Sequence, residues 1–177
     1  VVNSILLAVV TCIICIVAGT ATAYLKVRKN SKAARMFESA ASLTYALPGI
    51  VLALAMIFHW TIVPGVYGTV KILMIAYATR YVVLQIKGST TAMLSVEPAL
   101  EEAGRVFGAG KVTIWKKIMI PVMAKQILSS AFLIFVSSLT ELTLSSMLAS
   151  AGTKTIGLTI FNLQQGGDYS LSAAMSA

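Results

Sequence analysis

Three features of the 177-residue sequence predict an all-α, polytopic membrane helix bundle. Hydrophobic residues make up 58% of the chain and charged residues only 11%, against about 25% charge in soluble domains. The apolar residues come in runs long enough to cross a bilayer, which takes about 20 residues of helix. The basic residues cluster, with Lys26, Arg28, Lys29, Lys32 and Arg35 in one block and Lys87, Arg105, Lys111, Lys116, Lys117 and Lys125 in another. Basic-rich connections alternating with basic-poor ones form the positive-inside pattern. The net charge of +8 therefore orients the chain in a membrane, and no nucleic-acid partner is expected.

The first span is read over residues 1–25, with Asn3 and Ser4 at its start and Tyr24 near its end. The basic block that follows puts this end in the cytoplasm. A cleavable signal peptide is not expected, because its charge would precede the apolar core. Cys12 and Cys15 form a CxxC, but they sit mid-span without His, Asp or a second pair nearby. Thiolate and metal chemistry need a polar, accessible site, so both are read as small packing residues and no metal is expected. The chain starts Val-Val-Asn and ends Leu-Ser-Ala-Ala-Met-Ser-Ala in mid-pattern, and reads as a piece of a longer protein.

The second span, 39–60, returns outward and ends on the interfacial pair His59-Trp60. It contains Leu47-Pro48-Gly49, where the proline removes a backbone donor and crowds the preceding turn. Pro48 marks either a tolerated kink or a hinge whose freed carbonyl lines a cavity. Pro64, Gly65 and Gly68 make a short outer turn. The third span, 70–86, carries Arg80, which snorkels to the inner interface, bonds another helix or contacts substrate along the path. A cytoplasmic connection over 87–118 follows, then a fourth span over 121–148. Residues 150–168, rich in Gly and Thr, read as an outer connection, and 169–177 as the start of a fifth span.

The cytoplasmic connection holds two helical patterns of its own. Ser95 is a candidate cap, and Pro98 fits a first turn, where its missing N–H costs nothing. Leu100, Ala103 and Phe107 fall on one face, and Glu101, Glu102 and Arg105 point elsewhere. Gly108 is placed to adopt the left-handed conformation that closes such a helix. A second short helix, 111–118, runs into Pro121. Helices this short are marginal alone, so they need packing within the protein or against a partner. The acidic Glu97, Glu101 and Glu102 disfavour an anionic lipid surface as that support.

The spacing of Glu102-Ala103-Gly104, Gly108, Ile118 and Ile120-Pro121 resembles the EAA loop of permease subunits in binding-protein-dependent ABC importers. That pattern reads E-A-A, three residues, G, nine residues, I, one residue, L-P. Gly104 stands for an alanine and Ile120 for a leucine, and the glycine loosens the helix by about 1 kcal/mol. Asn3-Ser4, Ala23-Tyr24-Leu25, Ala46-Leu47-Pro48-Gly49 and Glu141-Leu142 also resemble this family's features. The resemblance implies a MetI-like permease core with short cytoplasmic coupling helices, in the inner cell membrane. It implies that Glu101, Glu102, Ala103, Gly104, Arg105, Gly108 and Ala109 contact a cytoplasmic ABC ATPase dimer, which uses the ATP. It further implies a second permease domain (an identical chain, a different one or a fused half) and an extracytoplasmic substrate-binding protein. This chain contains no phosphate-binding loop G-x-x-x-x-G-K-[ST] and is read as non-enzymatic, with no catalytic residue and no directly bound cofactor.

In the fourth span, Ser137, Glu141 and Ser145 fall at i, i+4 and i+8 and make one polar stripe. An ionised residue at mid-span costs about 2.5–3.5 kcal/mol on insertion scales, so Glu141 must face protein or water. It either lines the path or bonds Arg80 and ties two helices, whereas the serines also suit close helix packing. A secondary transporter or channel would share the spans, Pro48 and Glu141 but needs no capped double-helix connection. A membrane enzyme is disfavoured, because His59 is the only histidine and no HExxH occurs. The segment from Thr155 to Tyr169 resembles the ferric-iron branch of the family, and also thiamine, sulfate, polyamine and phosphonate permeases. Ferric iron is the substrate this implies.

Overall fold

The computed structural model describes residues 2–150 and 152–176, so the outermost positions of the first and fifth spans, 1 and 177, lie outside the described residues. Those residues form ten α-helices and no strand. α1 (Val2–Val27), α4 (Val70–Leu94) and α7 (Ile120–Leu139) make the central packed trio. Among the described residues, α1 and the continuous stretch Lys111–Leu139 qualify by length and composition as single helices able to cross a membrane; a third span counts if one bent pair is taken as a unit.

α4 falls short of that composition for a physical reason. It packs against α1, α2 (Lys32–Ala46), α3 (Gly49–Trp60), α7 and α8 (Thr143–Leu148). Ile72, Leu73, Ala76, Tyr77, Gln85, Ile86 and Ser89 are fully enclosed by protein. A helix surrounded by other helices can carry polar residues that a lipid-facing helix cannot. Close approach to α1 depends on Gly19, where a Cβ would lie 2.7 Å from Gln85 Cβ. Cys12 and Cys15, as expected of packing residues, turn their thiols to the carbonyls of Ala131 and Ala78, at 3.3 and 3.8 Å.

Several expected boundaries are corrected. The second span is not one helix: α2 and α3 meet at Leu47-Pro48 with a bend of 114°. Pro48 caps α3 from outside it, and its carbonyl accepts from Val51 N–H at 2.9 Å. The third span extends through residues 87–94, because no proline interrupts them before Ser95 and because Ser89, Ala92 and Met93 are buried there. Ser95 ends α4 and does not cap the next helix; its hydroxyl donates to Thr91 O.

The fourth span breaks after Leu139, and α8 restarts at Thr143. Conversely, the short helix at 111 does not end before Pro121. α6 (Lys111–Ile114) leads through a π-turn, Trp115–Met119, straight into α7. The wider turn, closed by Ile120 N–H on Trp115 O, precedes a proline that could not complete a regular ladder. The outer connection contains a helix, α9 (Ile156–Gln165), capped by Thr155 Oγ1. α10 (Tyr169–Ser176) follows it.

Each end of the bundle is tied across elements. At one end Asn3 Nδ2 donates to the carbonyls of Gly152 and Lys154, and Ser4 Oγ accepts from Ile156 N–H at 2.7 Å. At the other, basic end Glu38 pairs with Lys26 at 2.6 Å and faces Lys87 at 4.0 Å.

Candidate functional site

Two clusters gather the residues singled out in the sequence. The first is at the basic end of the bundle, on α5 (Pro98–Val106). Pro98 opens this helix, and Glu97 precedes it without a side-chain cap. Gly108 closes it at φ +76°. Gly108 N–H donates to Arg105 O and Ala109 N–H to Gly104 O, the paired bonds of a Schellman ending.

The orientation of α5 inverts a simple amphipathic reading. Glu101, expected on the partner-facing surface, turns inward and is the one buried residue of the helix. Its Oε1 lies 2.6 Å from Arg28 Nε and its Oε2 3.6 Å from Arg105 Nη2. Arg28 also donates from Nη2 to Val96 O at 2.7 Å. A carboxylate with such partners can be enclosed, whereas an unpaired one cannot. The apolar side chains therefore face out: Val106 is 84% and Phe107 89% exposed, with Leu100 and Val112 open beside them.

Glu102, Ala103 and Arg105 are exposed too. Gly104 instead faces the chain itself. A Cβ there would sit 3.1 Å from Ile114 and 3.2 Å from Ile118, so the close approach it allows is between α5 and the α6–π-turn segment. Ala109 packs into the adjoining cluster of Met93, Val96, Ile114 and Met119.

The second cluster lies where the two broken helices meet. α3 packs against α8, so the break at Leu47-Pro48 faces the break at Thr140–Leu142. Arg80 reaches into both: its Nη1 donates to Leu47 O at 3.5 Å and its Nε lies 3.6 Å from Glu141 Oε2. Tyr81 donates its hydroxyl to the same carboxylate oxygen. Glu141 Oε1 accepts Leu144 N–H at 3.1 Å, filling an orphan donor at the start of α8.

The main-chain carbonyl of Glu141 accepts from Ser145 Oγ at 2.7 Å and from Tyr77. Ser137 gives its carbonyl to Tyr81. The stripe expected of a continuous helix is thus folded back on itself, with Ser145 turned to backbone. Through these contacts Glu141 joins Arg80 and Tyr81 of α4 to the start of α8.

Arg28, Tyr81 and Thr143 (within 3.0 Å of a Cβ placed at Gly49) were missed in the sequence. Arg28 was legible only as topological charge, and Tyr81 carried no periodic signal. No group of three or more His, Cys, Asp or Glu that could hold a metal occurs among the described residues.

Residues 15–177 match the family described as binding-protein-dependent transport system inner membrane component. Among curated proteins the chain is 26% identical over 158 residues to the ferric transport system permease protein FbpB of Actinobacillus pleuropneumoniae, covering 88% of this chain and 23% of that protein. It is 22% identical to the Fe(3+)-transport system permease protein FbpB 2 of Haemophilus influenzae, over 72% of this chain and 25% of that one. It is 26% identical to the trehalose transport system permease protein SugB of Mycobacterium tuberculosis, over 91% and 59%. The chain thus spans about a quarter of the two ferric permeases' length. The fold is similar to a solved structure of the inward-facing MetNI methionine ABC transporter, with a TM-score of 0.69 at 19% identity, covering 91% of this chain and 76% of that one. With the family matched over nearly its whole length, this chain belongs to the inner membrane components of binding-protein-dependent transport systems.

Proposed function

We propose that this chain is a permease subunit of an ATP-driven ABC importer, forming part of the translocation path and coupling it to a cytoplasmic ATPase dimer through α5. The observation that carries this is the outward apolar face of α5. Phe107 and Val106 stand free at the basic, cytoplasmic end, while the helix is held from behind by Glu101, Arg28 and the Gly104 contact. An apolar patch rimmed by Glu102 and Arg105 is suited to a protein cleft. ATP hydrolysis belongs to the ATPase, and this chain transmits the motion. A second permease domain and an extracytoplasmic binding protein complete the assembly.

Ferric iron is the substrate we assign, supported by two relatives named for it. The trehalose permease is similar at the same identity as the first of them, so uptake has to decide. The full-length transporter reconstituted with its ATPase and binding protein should accumulate labelled ferric iron only with ATP inside. Uptake driven by a proton or sodium gradient alone overturns the importer reading, and ATP-driven uptake of trehalose without iron overturns only the substrate.

A further inference from the structure

Two recesses on the flank of the bundle share a wall. An apolar groove of about 680 Å³ runs between α1 and the start of α7, lined by residues including Val17, Ala21, Ala124 and Leu128, and Tyr24 and Trp115 belong to its lining. The same two rings, in edge contact with centroids 5.2 Å apart, also line a recess of about 620 Å³ with Lys29, Glu101, Arg105 and Lys111. Glu101 is already engaged by Arg28 and Arg105. Lys29 and Lys111 have no acidic partner among the described residues.

From this juxtaposition we propose that the α1/α7 groove and its basic recess form one binding site for an anionic phospholipid of the cytoplasmic leaflet, with its phosphate between Lys29 and Lys111 and an acyl chain along the groove. The dimensions agree. Ile16 to Tyr24 spans about 12 Å of helix, close to the roughly 15 Å depth of one leaflet's hydrocarbon. Tyr24 and Trp115 stand where the polar and apolar parts join, the level at which such rings favour the headgroup boundary. The lysines face the leaflet that carries negative lipid. A partner helix in the groove would leave both lysines uncompensated, and a free phosphate would leave the groove bare. An amphiphile with an anionic head satisfies both halves.

The test uses the full-length protein in its assembled transporter, supplied with equal phosphatidylglycerol and phosphatidylcholine and read by native mass spectrometry. At about fivefold per cation near the surface, the bound fraction should favour phosphatidylglycerol, and Lys29→Gln and Lys111→Gln should each cut that preference about fivefold. A photo-crosslinker at Leu128 in the otherwise unchanged protein should give lipid adducts. Equal retention of the two lipids, a preference unchanged in the double variant, an adduct at Leu128 with protein alone, or binding of inorganic phosphate without any lipid adduct would each overturn the proposal.

Discussion

Replacing Glu101 with alanine removes the group that holds α5 against the end of α1. The Arg28 and Glu101 side chains are 14% and 9% exposed, and their atoms approach to 2.6 Å. Breaking such an enclosed pair from one side costs about 3–5 kcal/mol, because the other charge is left without a partner. Arg28 keeps its bond to Val96 O and some access to water, which places the cost at the lower end, about 3 kcal/mol. That is roughly a hundredfold in the ratio of docked to undocked α5. A nine-residue helix has little stability of its own once released. Amide hydrogen exchange over residues 98–106 should therefore accelerate about a hundredfold, while α1 and α4 keep their protection. Glu101→Gln, which keeps an acceptor but loses the charge, should fall between. Exchange in Glu101→Ala within a factor of about two of the wild type would refute the inward orientation of this carboxylate.

Other substitutions separate path from scaffold. Glu141→Ala should destabilise the detergent-solubilised protein by about 3 kcal/mol, because Arg80, Tyr81 and Leu144 N–H all lose their acceptor; thermal unfolding reads this, and a normal midpoint with abolished uptake would instead mark Glu141 as a path residue. Glu141→Gln should cost only about 1–2 kcal/mol by the same measurement. Gly104→Ala should stay within about 1 kcal/mol of the wild type, its gain in helix propensity opposed by Ile114 Cγ1 and Ile118 Cδ1, which a Cβ there would approach to 3.1 and 3.2 Å. Gly104→Leu should overpack that contact by about 1–3 kcal/mol and uncouple ATP hydrolysis from uptake, with the spans still folded. Pro48→Ala restores one backbone donor but leaves the α3–α8 packing intact, so the 114° bend should persist in a spectroscopic distance between labels on α2 and α3.

What the sequence revealed and what it hid follow from the range of the forces involved. Pro98, Gly108 and the apolar runs act locally, so α5, from its proline start to its glycine close, and the long α1 could be read directly, whereas the cap expected at Ser95 could not. The α4 helix could be found but not its length or its place at the centre, because burial by other helices is a tertiary fact. The breaks at Leu47-Pro48 and at Glu141 differ instructively. A proline announces the first. The second comes from a carboxylate satisfied by Arg80, Tyr81 and Leu144 N–H, partners set by folding. The inward turn of Glu101 was hidden for the same reason, because Arg28 lies 73 residues away. The glycines and threonines of residues 150–168 obscured α9, whose Thr155 cap went unread.

The central claim is that the exposed apolar face of α5 docks on an ATPase. A photo-crosslinker placed at Phe107 in the full-length, assembled transporter tests it most directly. A covalent adduct with the ATPase subunit is expected, its yield changing when ATP closes the ATPase dimer. An adduct with lipid or with the permease itself, in a complex shown to contain the ATPase, would contradict it.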